Sequence, residues 1–215
     1  MHLFFDLDGT LTDSCPGIIA CVNHALEELG CPQAPAEQLR GMIGQPLTTI
    51  FAAVIDGAGE EAIDRAIAAY RARFNEIGMF ENALYPGVPA ALARLTEAGH
   101  RLQVVTAKPA VPASRVLEHF AIARYFDAVH GPTLTDRGCD KGRLVGQALL
   151  RAGASAPDAI MIGDRVDDML AAKAHGVRAI GAGWGYGSRI ELIDAGADRV
   201  VDTVDVLVSY LLSAH

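Results

Sequence analysis

Near the amino terminus, the stretch Leu3-Phe4-Phe5-Asp6-Leu7-Asp8-Gly9-Thr10 sets a short apolar run directly before two acids. A continuous apolar run of this length is typical of a parallel strand that is buried on both faces. The two acids then fall at the carboxyl end of that strand, which is the edge where open α/β sheets bind ligands. Taken alone, Asp-x-Asp-Gly-Thr is equally the composition of a turn, so the rest of the chain decides between the two interpretations.

Similar apolar runs recur in the second half of the chain, and helical patterns lie between them. This alternation predicts an α/β fold, a Rossmann-like doubly wound parallel sheet with right-handed crossovers. The predicted strands are 3–5, 102–105, 159–162, 177–180 and 199–201, with 126–130 as a weaker candidate, and the predicted helices are 87–98, 109–120, 140–152, 164–174 and 203–212.

Residues 14–80 break this rhythm, because helical patterns at 18–29, 35–42, 47–55 and 60–77 follow one another with no strand-like run between them. We therefore predict an inserted all-α cap domain over 14–80 and a core domain formed by 1–13 and 81–215. The apolar face of the last of these helices, with Ile63, Ile67 and Tyr70, suits either the core or a dimer contact. A monomer and a homodimer both stay open.

Composition excludes several classes of protein. With 215 residues, 51% of them hydrophobic, the chain has material for an ample core. A formal charge of −8 disfavours nucleic acid as a partner, since phosphate backbones bind clustered Lys and Arg. Cys15, Cys21, Cys31 and Cys139 show no zinc or redox spacing, which indicates reduced thiols. No signal peptide or run of ~18 apolar residues occurs, so we expect a soluble cytoplasmic protein with no membrane partner.

Further polar residues fall at the same predicted sheet edge as Asp6. Thr106 ends the strand 102–105, Asp164 ends the strand 159–162, and Asp168 follows one helical turn later. Lys141 begins the helix 140–152. Clustered carboxylates without His or Cys partners suit Mg²⁺, a hard cation that prefers oxygen ligands.

A magnesium site at this edge indicates phosphoryl chemistry. Mg²⁺ neutralises the charge of a phosphoryl substrate, and a nearby lysine offsets the charge that develops during transfer. An aspartate can attack phosphorus covalently, and a second acid two residues later can serve as acid and then as base.

At these residues the sequence resembles the haloacid dehalogenase-like (HAD) hydrolase superfamily. Its four motifs appear in order, and the helices after the first motif look like that superfamily's helical cap. The matching residues are Asp6-Leu7-Asp8-Gly9-Thr10, Thr106, Lys141 and Gly163-Asp164-Arg165-Val166-Asp167-Asp168.

The resemblance implies a role for each motif. Asp6 is implied as the nucleophile, and Asp8 as the acid that protonates the leaving oxygen and then activates water. Thr106 would bind a phosphoryl oxygen and Lys141 would steady the charge. Mg²⁺ would be held by Asp6, the backbone carbonyl of Asp8 and Asp164, with Asp168 as a nearby ligand or supporting acid. The acid two residues after the nucleophile is the pattern of phosphatases and phosphomutases rather than of dehalogenases.

More locally, the sequence looks like the phosphoglycolate phosphatase-type subgroup. The supporting stretches are 8–14, 43–47, 106–109, 185–188 and 195–198. Candidate substrate contacts are Arg40, Gly44 and Gln45 in a cap loop, and Thr106, Ala107, Lys108 and Arg165 beside the motifs. Lys108 and Arg165 are predicted to meet a second anionic group, such as a substrate carboxylate.

The expected activity is Mg²⁺-dependent hydrolysis of a small phosphorylated metabolite, a phosphoglycolate-like ester or a nucleoside monophosphate. A sugar phosphomutase or a pyrophosphatase of the same superfamily is an alternative, and a catalytically silent binding or regulatory protein is another. A dinucleotide-dependent oxidoreductase is disfavoured, because the glycine-rich segment 181–187 lacks the G-x-G-x-x-G spacing. That segment is predicted to be a flexible loop near the cleft.

Overall fold

Eight strands form the sheets of this computed structural model, which describes residues 1–136 and 139–213. Six of the strands form one parallel sheet, and the other two pair with each other in antiparallel fashion. The strands are β1 His2–Phe5, β2 Thr12–Asp13, β3 Ala83–Leu84, β4 Arg101–Val105, β5 Phe126–His130, β6 Ala159–Gly163, β7 Arg178–Ala182 and β8 Arg199–Val201. The predicted doubly wound parallel sheet is therefore confirmed, including its weaker candidate β5.

The helices follow the predicted order with one addition. The unpredicted helix is α9, which begins with a capping box between Ser188 and Glu191. The helices are α1 Cys15–Glu28, α2 Ala36–Met42, α3 Leu47–Val54, α4 Glu60–Arg73, α5 Val88–Glu97, α6 Ala110–His119, α7 Lys141–Ala152, α8 Val166–Ala174, α9 Arg189–Asp194 and α10 Val204–Ser213, and α4 continues into a π-helical turn Phe74–Gly78. Within the part of the chain that the structure describes, no helix is both long and apolar enough to cross a bilayer.

The strand order β5-β4-β1-β6-β7-β8 places β1 between β4 and β6. Phe5, the last residue of β1, is in register with Val104 on one side and Ile162 on the other. The three strands therefore end at nearly the same level. Along the chain, β4 and β5 are added on one side of β1, and β6, β7 and β8 on the other. The order of strand addition therefore reverses next to β1, which is where ligands bind in open α/β sheets.

Apolar side chains of β1 pack on both faces of the sheet. Leu3 and Phe5 lie in one hydrophobic cluster, and Phe4 lies in the cluster on the other face. All three are almost fully buried, as a parallel strand covered on both faces requires. This packing fixes the position of the loop that follows β1.

Helices α1 to α4 lie between β2 and β3 in the chain. These two short strands pair with each other, with Thr12 opposite Leu84 and Asp13 opposite Ala83. The segment that contains α1 to α4 therefore begins and ends at neighbouring positions. Tyr70 of α4 is buried in the same hydrophobic cluster as Leu3 and Phe5 of β1. Ile63 and Ile67 are partly buried and pack against this cluster. The division into domains at residues 14 and 80 stays a prediction.

Candidate active site

The structure brings together the polar residues that end the three central strands. Asp6 follows β1 and is buried; its backbone N–H donates to the Ile162 carbonyl at 2.9 Å. The Leu7 N–H donates to Asp6 Oδ1 at 2.8 Å, which orients the carboxylate. Thr106 follows β4, Asp164 follows β6, and both are buried. A common sheet edge thus carries a carboxylate pair and a hydroxyl.

Lys141 supplies the positive charge of this cluster from the first residue of α7. Its Nζ lies 3.0 Å from Asp6 Oδ2 and 2.5 Å from Asp168 Oδ1, and its side chain is 7% exposed. Burial by itself would lower the pKa of Lys141, but the charges of Asp168 and Asp6 outweigh it and raise that pKa above its usual value. The ammonium is therefore charged and fixed between two carboxylates.

Besides Lys141, donors from three positions hold Asp164 and Asp168. The Thr10 hydroxyl donates to Asp164 Oδ1 at 3.0 Å, and the Tyr186 N–H donates to Oδ2 at 2.8 Å. The Arg165 N–H donates to Asp168 Oδ2 at 3.0 Å. Burial raises the pKa of both carboxyl groups, and the nearby charge of Asp6 adds to the rise. Without a further cation, ionisation of both groups is therefore disfavoured, and a bound cation would offset their negative charge.

The donor set fits a divalent cation. One carboxylate oxygen from each of Asp6, Asp164 and Asp168 lies within 4.8 Å of the others, and all three residues are buried. Within this cluster three carboxyl groups face the single ammonium of Lys141, so their full ionisation would leave an excess of buried negative charge. Oxygen ligands of this kind match Mg²⁺.

Glycine is required beside Asp164. Gly9 has φ +92°, in the left-handed region, and a Cβ built on it would overlap the Asp164 carboxylate. A Cβ on Gly185 would overlap the Asp164 side chain and the Gly9 carbonyl oxygen. The cluster can close around Asp164 because both positions carry no side chain.

We expect Gly9→Ala to lower kcat/KM by about 100-fold. The added methyl group would displace the Asp164 carboxylate, and a displacement of roughly 1 Å in an active site lowers the rate by about this factor. Gly30→Ala is the matched control: Gly30 also has a positive φ, of +70°, but a Cβ there meets no atom within 4 Å. Both variants carry backbone strain of about 1 kcal/mol. Equal activity of the two variants in a phosphate-release assay would contradict the proposed tight packing around Asp164.

Asp8 lies at the open side of the cluster and pairs with Lys108. Lys108 Nζ lies 2.6 Å from Asp8 Oδ2 and 4.8 Å from the centre of the Phe74 ring, in the π-helical turn after α4. Thr106 accepts from the Lys108 N–H at 3.2 Å. Lys108 is also predicted to meet a second anionic group of the substrate, and that contact stays a prediction. In the structure, its partner is the second acid of the first motif.

Two adjoining cavities open at this edge. The smaller, about 240 Å³, is lined by Asp6, Thr106 and Lys141 together with Arg165. The larger, about 390 Å³, extends towards the inserted helices. The residues shared by both linings are Asp8, Gly44, Gln45, Pro46, Ala107, Lys108 and Cys139.

Two predicted substrate contacts have other partners. Arg40 is absent from the described lining of both cavities, and its guanidinium lies 5.5 Å from the centre of the Tyr186 ring. Arg165 lines the smaller cavity and donates to the Gly41 carbonyl at 3.0 Å, which joins α2 to the loop before α8. Whether either residue contacts substrate stays a prediction.

The segment after β7 supplies contacts that sequence patterns did not reveal. Trp184 Nε1 donates to the Thr10 carbonyl at 3.0 Å, and the Tyr186 hydroxyl donates to Asp13 Oδ1 at 2.9 Å. The Trp184 bond ties this loop to the first motif, and the Tyr186 N–H, which donates to Asp164, ties it to the fourth. The predicted position near the cleft is right, but a backbone N–H donor has no residue signature in the sequence.

A comparison with known proteins identifies the family. Residues 3–182 match the family model described as haloacid dehalogenase-like hydrolase. The chain belongs to this family. The resemblance inferred from the four motifs is thus confirmed, and phosphoglycolate phosphatases are among the relatives of this HAD hydrolase.

Individual relatives of the HAD hydrolase carry different names. It is 40% identical to a 5'-nucleotidase of Pseudomonas aeruginosa, over 89% of this chain and 86% of the relative. It is 37% identical to the tyrosine-protein kinase PtkA of Mycobacterium tuberculosis, over 95% of this chain and 70% of the relative. The crystal structure of a predicted phosphatase from Clostridium acetobutylicum superposes with a TM-score of 0.91 at 39% identity, covering 99% of this chain and 98% of that one. The chain is a HAD-family phosphatase.

Proposed function

We propose that this HAD phosphatase hydrolyses a small phosphomonoester in a Mg²⁺-dependent reaction through an aspartyl-phosphate on Asp6. The observation that supports this most directly is the pairing of Asp6 with the Lys141 ammonium at 3.0 Å, in a cavity that also contains Asp8. A carboxylate oriented by a backbone N–H and facing a cavity is positioned as a nucleophile.

In the first proposed step, a carboxylate oxygen of Asp6 forms a bond to phosphorus while the bond from phosphorus to the alcohol oxygen breaks. Asp8 gives its proton to that oxygen, and the alcohol leaves. In the second step, Asp8 takes a proton from water, whose oxygen attacks phosphorus and releases phosphate, restoring Asp6. Thr106 donates to a phosphoryl oxygen, and Lys141 offsets the negative charge that develops.

The proposed metal ligands are the carboxylates of Asp6 and Asp164 and the backbone carbonyl of Asp8. Asp168 lies close enough to bind directly or to support these ligands. When bound, Mg²⁺ neutralises charge on the phosphoryl group. The glycines around Asp164 and its two hydrogen bonds would hold this ligand in place.

Metal binding should couple to pH through the raised pKa of Asp164 and Asp168. Between acidic and slightly alkaline pH, these two carboxyl groups keep their protons in the folded state but lose them in the unfolded state. The free energy of unfolding of the metal-free protein therefore decreases as the pH rises through this range. Mg²⁺ binds the deprotonated groups and reverses this loss. At roughly 100-fold excess over its Kd, Mg²⁺ should add about 2.7 kcal/mol at pH 8, and much less at pH 5.

Thermal melting with EDTA and with Mg²⁺ at both pH values measures this effect. Asp164→Asn is the control, since it keeps the side-chain volume but removes a ligand charge. EDTA should silence turnover of the native chain and Mg²⁺ should restore it. An equal Mg²⁺ response in the Asp164→Asn variant would place the metal elsewhere.

A phosphate-release screen with Mg²⁺ tests the proposed function. Phosphoglycolate, nucleoside monophosphates, sugar phosphates and pyrophosphate form the panel. Free phosphate from a monoester, with no sugar bisphosphate present, supports a phosphatase and excludes a dedicated phosphomutase. Release from pyrophosphate alone would favour the pyrophosphatase alternative, and no release at all would favour a silent binding protein.

A further inference from the structure

Apolar side chains of the inserted helices form one wall of the larger cavity, whose lining also includes Asp64 and the segment 132–136. Ile18 of α1, Ile50 of α3 and Ile67 and Tyr70 of α4 contribute, and Phe74 follows in the π-helical turn. The rings of Tyr70 and Phe74 stack at 5.5 Å between centres and 10° between planes. Polar groups enter the same lining one helical turn apart, from Arg71 and Asn75.

The proposed catalytic residues are distributed unequally between the linings of the two cavities. Asp6, Thr106 and Lys141 line the smaller cavity and are absent from the described lining of the larger one, whereas Asp8 lines both. If Asp8 protonates the leaving oxygen, that oxygen has to lie within hydrogen-bond reach of it. The phosphoryl group then occupies the smaller cavity, and the rest of the ester extends into the larger one.

The volume of the larger cavity sets the size of the leaving group. At roughly 30 Å³ per water molecule, 390 Å³ holds on the order of 13 waters. A two-carbon alcohol displaces only a small part of this water, so the apolar side chains of the cavity stay in contact with water. A ring-bearing alcohol displaces most of it and buries apolar surface on both sides of the contact.

We propose that the physiological substrate is a phosphomonoester of an alcohol that carries an aromatic ring or base, and not of a two-carbon acid. This proposal rests on the proposed function and names its substrate class. The aromatic wall formed by Tyr70 and Phe74 favours a flat ring, since offset and edge-to-face ring contacts are more favourable than contact area alone. The Arg71 guanidinium and the Asn75 amide bring donors to a base.

Steady-state phosphate release with Mg²⁺ from four probes tests the proposal. Ethyl phosphate and phosphoglycolate have small leaving groups, whereas 2-phenylethyl phosphate and adenosine 5'-monophosphate carry a ring or base. We expect kcat/KM for at least one ring-bearing ester to exceed both small esters by about 10-fold to 200-fold, which is the range for apolar groups that fill a pocket. Preference between the two ring-bearing esters distinguishes a nucleobase from a simple aryl group.

Ile67→Trp provides the structural test, because it narrows the cavity from α4. The ratio of kcat/KM for the favoured ring-bearing ester to that for ethyl phosphate should fall by at least ~10-fold. This ratio is unaffected by loss of folded enzyme, and Ile67→Phe offers a milder variant. Ala68→Trp, on the exposed side of the same helix, should leave the ratio unchanged.

The outcomes separate the two proposals. If ethyl phosphate or phosphoglycolate is hydrolysed as well as the ring-bearing esters, the substrate class is wrong while the phosphatase function stands. The same conclusion follows if Ile67→Trp lowers kcat/KM for large and small esters by the same factor. If no ester releases phosphate, the proposed function fails, and the substrate class fails with it.

Discussion

Asp6→Asn should lower kcat on the order of ~10⁴-fold or more, since removal of a catalytic nucleophile has effects of this size. The amide cannot form the aspartyl-phosphate, yet it is close in volume to the carboxylate and can still accept from the Leu7 N–H. The fold should persist. Steady-state phosphate release and thermal melting measure the two effects separately.

Asp194→Asn is the matched control, because this exposed aspartate at the end of α9 lies outside both cavities. It should leave kcat unchanged. Mass spectrometry after an acid quench should detect one added phosphoryl group on the native chain and none on Asp6→Asn. Near-normal phosphate release from Asp6→Asn would overturn the mechanism, whatever its substrate.

Lys141→Met should cost about 3–5 kcal/mol of unfolding free energy at pH 8 in EDTA, because it leaves buried carboxylates without their cation. Below the usual lysine pKa the ammonium is charged in both states, so its contribution is fully present at pH 8. The loss should shrink at pH 5, because burial raises the pKa of Asp164 and Asp168 and both then take protons. Urea unfolding at the two pH values measures the difference.

Lys173→Met on α8 serves as the control, since Lys173 is exposed and surface substitutions change stability by about 0.5 kcal/mol or less. Activity gives a second measure: Lys141→Met should also lose turnover at saturating Mg²⁺. A stability loss that is the same at pH 5 and pH 8 would mean that Lys141 contributes packing rather than charge.

Most strands of the parallel sheet were predictable because they contain short apolar runs, and a polar residue directly follows β1, β4 and β6. Even β5 was found, although its side chains are only half-buried. The helix α9 was missed because it has only six residues, although Ser188 and Glu191 form a capping box at its start. The two-residue strands β2 and β3 carry no periodicity, and only their pairing in space defines them.

The site was predictable where strand topology positions a side chain. Asp6, Thr106 and Asp164 meet because parallel strands end at one edge of the sheet. The partner of Lys108 was not predictable, because a long flexible side chain can reach in several directions and its pairing with Asp8 depends on the inserted helices. The Tyr186 N–H on Asp164 was missed because every residue except proline has this donor.

The pairing of β2 with β3 bears on how this enzyme could be redesigned. Asp13 and Ala83 stand opposite each other, so the two ends of the inserted helices are neighbours, as are the termini of domains that tolerate transplantation. A foreign helical segment with adjacent ends could be grafted between them without moving β1 or β4. Replacing the whole helical segment between β2 and β3 could thus change the substrate specificity of the enzyme, while the carboxylates at the sheet edge stay in place.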